Sequence, residues 1–363
     1  MDVAVLGGGN GAHAAAVDIT LRGCSVRYWR RDGAALQPTR AAGGIGLTDF
    51  EGHRLVPIAT ITDDLGAAVR GAKLIVSPSP AFAQEDLAQA LAPHLEDGQV
   101  IYLPPGTFGS YVMMKAIRQA GSKADIAIAE TGTLPWLCRK RGPNEIAITT
   151  RATRLPTGVF PTRHYGAALD AISTAFPGAI EPVEDALSAA LMNAGPIIHP
   201  PLIHMNAGPI EHFDHWDIHN EGTQPSIRRV TNALDGERIS AREALGYGAP
   251  HFPLADHYAA DGDEWMYGNL AHEKLTDSGD WRERLDLRRH RYMREDVALG
   301  LAFLVSVGRW AGLPMTVSSA LLALGSAVAE EDFDETGRTL HTLGLAGLDR
   351  DHMARLLKEG IAP

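Results

Sequence analysis

Three stretches of this 363-residue chain carry side chains spaced for chemistry. In DVAVLGGGNGAHAAA, at the amino terminus, Gly7, Gly9 and Ala12 fit the pattern G-x-G-x-x-A. That spacing suits a dinucleotide. Gly7 permits a tight turn, Gly9 lets the backbone approach a pyrophosphate, and Ala12 allows close helix–sheet packing, while the N–H groups around Asn10 and Gly11 aim at phosphate. In HRYMREDVALGLAF, residues 290–303, six ionisable side chains fill the seven positions from His290 to Asp296 and then give way to an apolar run. Val297 to Gly308 holds one polar side chain, Ser306, and reads as a helix buried on all sides, so the charged end lies near a core. Two readings stay open for it: a solvated helix start, with Glu295 and Asp296 favoured by the dipole, or the lining of a cleft. The residues alone favour the first. In NAGPIIHPP, residues 193–201, Gly195-Pro196 and Pro200-Pro201 predict two breaks in a buried helix, with His199 inside the second. Such breaks are costly, and a kink or a ligand site is their usual reason.

The elements that must position these groups come in two styles. Asp2 to Leu6 reads as a strand, His13 to Leu21 as a helix and Ser25 to Trp29 as a second strand, which is the context the glycine spacing requires. At the end of that second strand stand Arg30 and Arg31, where NAD-binding chains usually carry an acid for the ribose hydroxyls. Two guanidiniums suit a 2′-phosphate, so NADP(H) is favoured over NAD(H). KLIVSPSPAF and QVIYLPPGTF read as buried strands that stop at prolines, which places Ser77, Pro78 and residues 104–107 at the carboxyl ends of a parallel sheet, where a cofactor lies. IGLTDFEGHRLVPI predicts a hairpin before a helix capped by Asp63 or Asp64, and EIAITTRATRLPTGVFP a last extended stretch. From about Val183 the pattern turns long and helical, giving a Rossmann-type α/β domain over 1–183 and an all-α domain over 184–363.

Composition narrows the partners. A formal charge of −11, with no long Lys/Arg run, argues against nucleic acid and anionic membrane surfaces. The longest apolar run is too short for a bilayer, which needs about 20 residues. Two cysteines, and a first strand starting at Asp2, predict a cytoplasmic protein without a signal peptide. Small molecules, or a second copy in a homodimer, remain as partners. His212, His215 and His219 in HFDHWDIH fall at helical spacing, but no paired cysteines or H-E-x-x-H accompany them, so no metal is expected and a polar surface or cleft segment is.

Taken in order, GGGNGAHAAA, ETGTLPWLCR, NAGPIIHPP, RYMREDV and GRTLHTLGL resemble the opine dehydrogenases of the octopine and N-(carboxyethyl)norvaline type over essentially the whole chain. The resemblance implies a Rossmann domain followed by a helical domain like the carboxyl-terminal one of 6-phosphogluconate dehydrogenase. It also implies NAD(P)H-dependent reductive condensation of an amino acid with a 2-oxo acid. By motif it puts the catalytic histidine on His199, its acidic partner on Asp296, the carboxylate-binding arginine on Arg291, and an oxo-acid contact on Thr133. HFDHWDIHN and the loop from Tyr247 to Asp280 depart from the family pattern, which leaves the amine substrate open.

Those roles make chemical sense. Hydride arriving at a carbonyl or imine carbon leaves a heteroatom in need of a proton, which histidine supplies near neutral pH. A neighbouring carboxylate is expected to raise that histidine's pKa and fix its tautomer. An arginine fork grips a substrate carboxylate and orients the carbon. Two rivals differ in class: a reductase of the ketopantoate type that acts on a 2-oxo acid without an amine, and a non-enzymatic NADP sensor in which the three polar groups need not converge.

Overall fold

The computed structural model describes residues 1–261 and 264–362. The chain divides into two compact units, residues 1–190 with 351–363, and residues 191–350. The expected boundary near Val183 thus lies a few residues early. Ala186–Ala190 packs on the strand Leu155–Phe160, where Gly158 lets the carbonyl of Asp185 come close, so this helix stays with the first unit. The final helix, Arg350–Glu359, also departs from the expected division, because residues from Asp351 onward return to the first unit.

The strands of the first unit are β1 (Asp2–Leu6), β2 (Ser25–Trp29), β3 (Gly44–Asp49), β4 (Gly52–Pro57), β5 (Thr60–Thr62), β6 (Leu74–Val76), β7 (Val100–Leu103), β8 (Ala127–Thr131), β9 (Trp136–Gly142), β10 (Glu145–Arg151), β11 (Leu155–Phe160) and β12 (Ile180–Pro182). Eight of them form one sheet in the order β12-β11-β8-β7-β6-β1-β2-β5. With β3 and β4 set aside, its section from β5 to β8 has the doubly wound order in which ligands bind at the carboxyl ends of the strands. All its pairings are parallel except β11 with β8. The extended stretch 145–161 is two strands in two different sheets, because residues 152–154 turn the chain between β10 and β11.

The expected hairpin is present as β3 and β4, with Asp64, rather than Asp63, capping Leu65–Val69 by accepting from the N–H of Ala67 at 3.0 Å. It belongs to a second sheet, β4-β3-β10-β9. The helix Asn10–Leu21 packs against strands of both sheets, so Gly11 to Ile19 are all buried. Small side chains at Ala12 and Ala14 to Ala16 are what a helix covered on two faces requires.

The second unit is built of helices. Gly195–Met205 packs against Tyr292–Leu301 and against Pro225–Ala244 and Thr316–Ala329. Two expectations change here. Pro196 sits in the first turn of Gly195–Met205, where a missing N–H costs nothing, but Pro200 and Pro201 lie inside that helix without ending it. His199 is therefore in a continuous helix. Residues 292–301 form a π-helix that continues into Ala302–Trp310, so Asp296 is an interior residue, not a helix start. No described helix is long and apolar enough to cross a membrane.

Candidate active site

In the second unit the structure brings His199, Asp296 and Arg291 together. The two helices that carry His199 and Asp296 approach closely because small residues face the contact. A Cβ on Gly300 would collide with the Pro196 ring, and one on Gly195 with the Asp296 carboxylate. His199 Nδ1 lies 2.7 Å from Asp296 Oδ2, an ion-pair separation without hydrogen-bond alignment between these two buried atoms. Tyr292 stacks on the imidazole with ring centroids 3.9 Å apart, and His219 meets it edge-on at 5.6 Å.

Burial dominates the electrostatics of the pair. It pushes the Asp296 carboxyl up to about 7 against the opposing pull of Arg291 and His290. It pushes His199 well below the usual imidazole value, and the positive Arg291 and His290 act in the same direction. The sequence-based expectation of a raised histidine pKa is thus corrected: desolvation disfavours imidazolium more than the carboxylate favours it. Near neutral pH the Asp296 carboxyl therefore retains its proton in part, beside a neutral imidazole. Such a unit can release and regain one proton near neutral pH, with the charge that appears on Asp296 offset by Arg291.

Arg291 precedes the π-helix, with its side chain 53% exposed, its Nη1 3.9 Å from Glu295 and its guanidinium 5.3 Å from the Tyr292 ring centre. An exposed fork beside a buried acid–base pair is placed to meet an anion. Of the three histidines at helical spacing, His212, which ends the helix Ala207–His212, and His215 beyond it are exposed, and only His219 is buried. The segment is not one helix, because the chain turns extended at Phe213. No group of three metal-ligating side chains occurs among the described residues.

The dinucleotide residues belong to the first unit and fit that ligand. Gly7 takes φ +123, a conformation side chains rarely adopt, and its N–H donates to the Trp29 carbonyl at 2.9 Å. A Cβ on Gly9 would meet nothing, so the backbone there stands open, and Asn10–Leu21 begins without a side-chain cap, leaving its N–H groups available. Gly11 packs against Pro78 and Leu134, which brings the loops after β1, β6 and β8 together. Ser77 donates to Ser79 at 3.2 Å, and its N–H to the Tyr102 carbonyl at 2.9 Å. Thr133 is buried in the loop after β8, in the first unit, whereas His199, Asp296 and Arg291 belong to the second.

The two arginines at the end of β2 part company. Arg30 lies across Gly8, while Arg31 is exposed and bonds to no described residue. Sequence reasoning missed Lys140, whose ammonium donates to the Gly8 carbonyl at 3.2 Å and whose N–H donates to Asn10 Oδ1 at 3.0 Å. Its position on β9, 130 residues beyond Asn10, leaves no local signal. Gly195 and Tyr292 were missed as well, though both lie inside the motifs that carry the resemblance.

Comparison with known proteins agrees with this architecture. Residues 182–329 match the family model described as NAD/NADP octopine/nopaline dehydrogenase, alpha-helical domain. An opine dehydrogenase from Arthrobacter sp. (strain 1C) is 30% identical over 355 residues, covering 95% of each chain. Octopine dehydrogenase, solved in complex with NADH and agmatine, superposes with a TM-score of 0.75 at 19% identity, covering 100% of this chain and 99% of that one. A PanE/ApbA family ketopantoate reductase from Ralstonia eutropha shares the fold less fully, with a TM-score of 0.58 at 19% identity over 91% of this chain and 99% of its own. The chain belongs to the opine dehydrogenase family of NAD(P)-dependent oxidoreductases, which join the amino group of an amino acid to a 2-oxo acid by reductive condensation.

Proposed function

We propose that His199 and Asp296 act as one proton-transfer unit in this reaction and that Arg291 holds the carboxylate of the 2-oxo acid. The observation that carries the reading is the 2.7 Å approach of His199 Nδ1 to Asp296 Oδ2, both buried, on two separate helices of one unit. With Nδ1 committed to Asp296, Nε2 is the atom left for substrate. The dinucleotide, when bound, supplies hydride to the carbon of the C=N or C=O bond. His199 gives the Nε2 proton to the heteroatom, and the carboxyl proton of Asp296 moves to Nδ1, so the imidazole is neutral before and after. The charge left behind rests on Asp296, near Arg291. In the oxidative direction the same groups run backwards. Thr133 is assigned a contact with the oxo acid on the family motif.

NADPH is the cofactor we favour. Arg30 and Lys140 supply two cations at Gly8, and no acid ends β2 to hold a ribose diol and repel a 2′-phosphate. The two free, buried cysteines fit a reducing compartment, and we place the enzyme in the cytoplasm on that ground. The decisive experiment follows NADPH oxidation with pyruvate, with and without a panel of amino acids. Oxidation that requires an amine and yields an N-(carboxyethyl) amino acid supports the reading; oxidation by pyruvate alone supports the ketopantoate-type rival.

A further inference from the structure

A second cluster in the helical unit lies beyond His219 and takes no part in proton transfer. His219 sits edge-on to Trp281 at 5.6 Å, as it does to His199 on its other side. His257, only 4% exposed, is ringed by Trp265 at 4.8 Å, Tyr258 at 5.0 Å and His272 at 5.5 Å. The guanidinium of Arg228 lies 4.3 Å above the Tyr258 ring centre. Arg228, His272 and His219 all lie near enough to His257 to act on it electrostatically. Arg228 comes from the first turns of Pro225–Ala244, and the others from the 247–280 region and its neighbours, where the sequence departs from the family pattern.

Two features mark this cluster as a site that awaits an anion. Arg228 Nε and His257 Nδ1 are buried without a hydrogen-bond partner, and among the described residues no carboxylate pairs with Arg228. A buried donor without an acceptor is costly, and a ligand that brings the acceptor removes that cost. Burial also keeps His257 and His272 neutral, the latter near pKa 4, so each offers one N–H while Arg228 supplies the charge.

We propose that Arg228, with the imidazoles of His257 and His272, binds a carboxylate on the side chain of the amino-acid substrate, so that the amine donor is an acidic amino acid. The inference rests on the opine dehydrogenase reading. His219 neighbours both groups, edge-on to His199 at 5.6 Å and near enough to act on His257, so the cluster lies one ring beyond the proton-transfer pair and past the reach of an α-carboxylate at the reacting bond. An anion there belongs at the far end of a side chain.

Glutamate and glutamine share shape but not charge, and both enantiomers of each serve as probes. Calorimetric binding to the NADPH-loaded protein should favour glutamate over glutamine by roughly ten- to hundredfold, the worth of one charge-assisted contact. Arg228→Met should bring the ratio near one, and Arg228→Lys should restore part of it. Equal binding in the unmodified protein, or a preference that survives Arg228→Met, would overturn the inference. Turnover with pyruvate is read separately: turnover with other amines but no glutamate preference defeats the subsite alone. Selective glutamate binding with no condensation of any amine defeats the reaction and leaves the subsite standing.

Discussion

Replacing Gly195 by alanine perturbs the proposed proton-transfer unit without removing a polar atom. Gly195 opens the helix that carries His199, at helical backbone angles that alanine tolerates well, so propensity predicts no loss of helix. The added methyl would stand 2.3 Å from Asp296 Oδ1, whereas ordinary contact begins at 3.4 Å. The carboxylate must therefore retreat by about 1 Å or rotate away. A misplacement of that size costs on the order of 10²-fold in rate when it falls on a catalytic group. Stopped-flow measurement of NADPH oxidation should show kcat about a hundredfold lower, with the Kd for NADPH unchanged. Thermal unfolding should change modestly, since the carboxylate moves within a polar site rather than opening a cavity. A folded Gly195→Ala variant with normal kcat would refute the reasoning, because the carboxylate would then be displaced without consequence.

Three further outcomes follow from the site. The kcat/KM for reduction should fall as pH rises through about 7, because the carboxyl raised by burial to about 7 loses its proton there, and the rate of the reverse oxidation should rise over the same range; a flat profile from pH 6 to 8 in both directions would contradict the assignment. Arg30→Ala should lower NADPH affinity relative to NADH by roughly ten- to hundredfold, the worth of a charge-assisted contact, while Arg31→Ala has little effect, and fluorescence titration with both cofactors checks the difference. Arg291→Lys keeps the charge but loses the planar fork, so the KM for the 2-oxo acid should rise strongly while cofactor affinity holds, and an unchanged KM would return Arg291 to a solvated helix start.

What could be read from the sequence was what local pattern encodes. The G-x-G-x-x-A spacing lies between two strands in sequence, and the alternation from β1 to β8 repeats at short range, so the doubly wound sheet was legible. His199, Asp296 and Arg291 stood out because prolines and charges interrupt apolar runs. Their geometry did not. A π-helix over Tyr292–Leu301 leaves no periodicity distinct from an α-helix in ten residues, so Asp296 was placed at a helix start. The depressed pKa of His199 depends on burial by elements nearly 100 residues away in sequence. Lys140 and Arg228 act on partners separated from them by strands and loops, and only the folded chain brings them there.

Single-turnover hydride transfer in His199→Ala, Asp296→Asn and the double variant tests the central claim most directly. If the two side chains work as one unit, His199→Ala should lower the rate by about 10² to 10⁴, the usual worth of general acid catalysis. Asp296→Asn should also be slow and should lose the pH limb near 7, and the double variant should be little slower than His199→Ala, since members of one catalytic unit are not additive. NADPH binding should persist in all three. Losses that multiply in the double variant, or near-normal turnover in either folded single variant, would contradict the account and move proton transfer to another group.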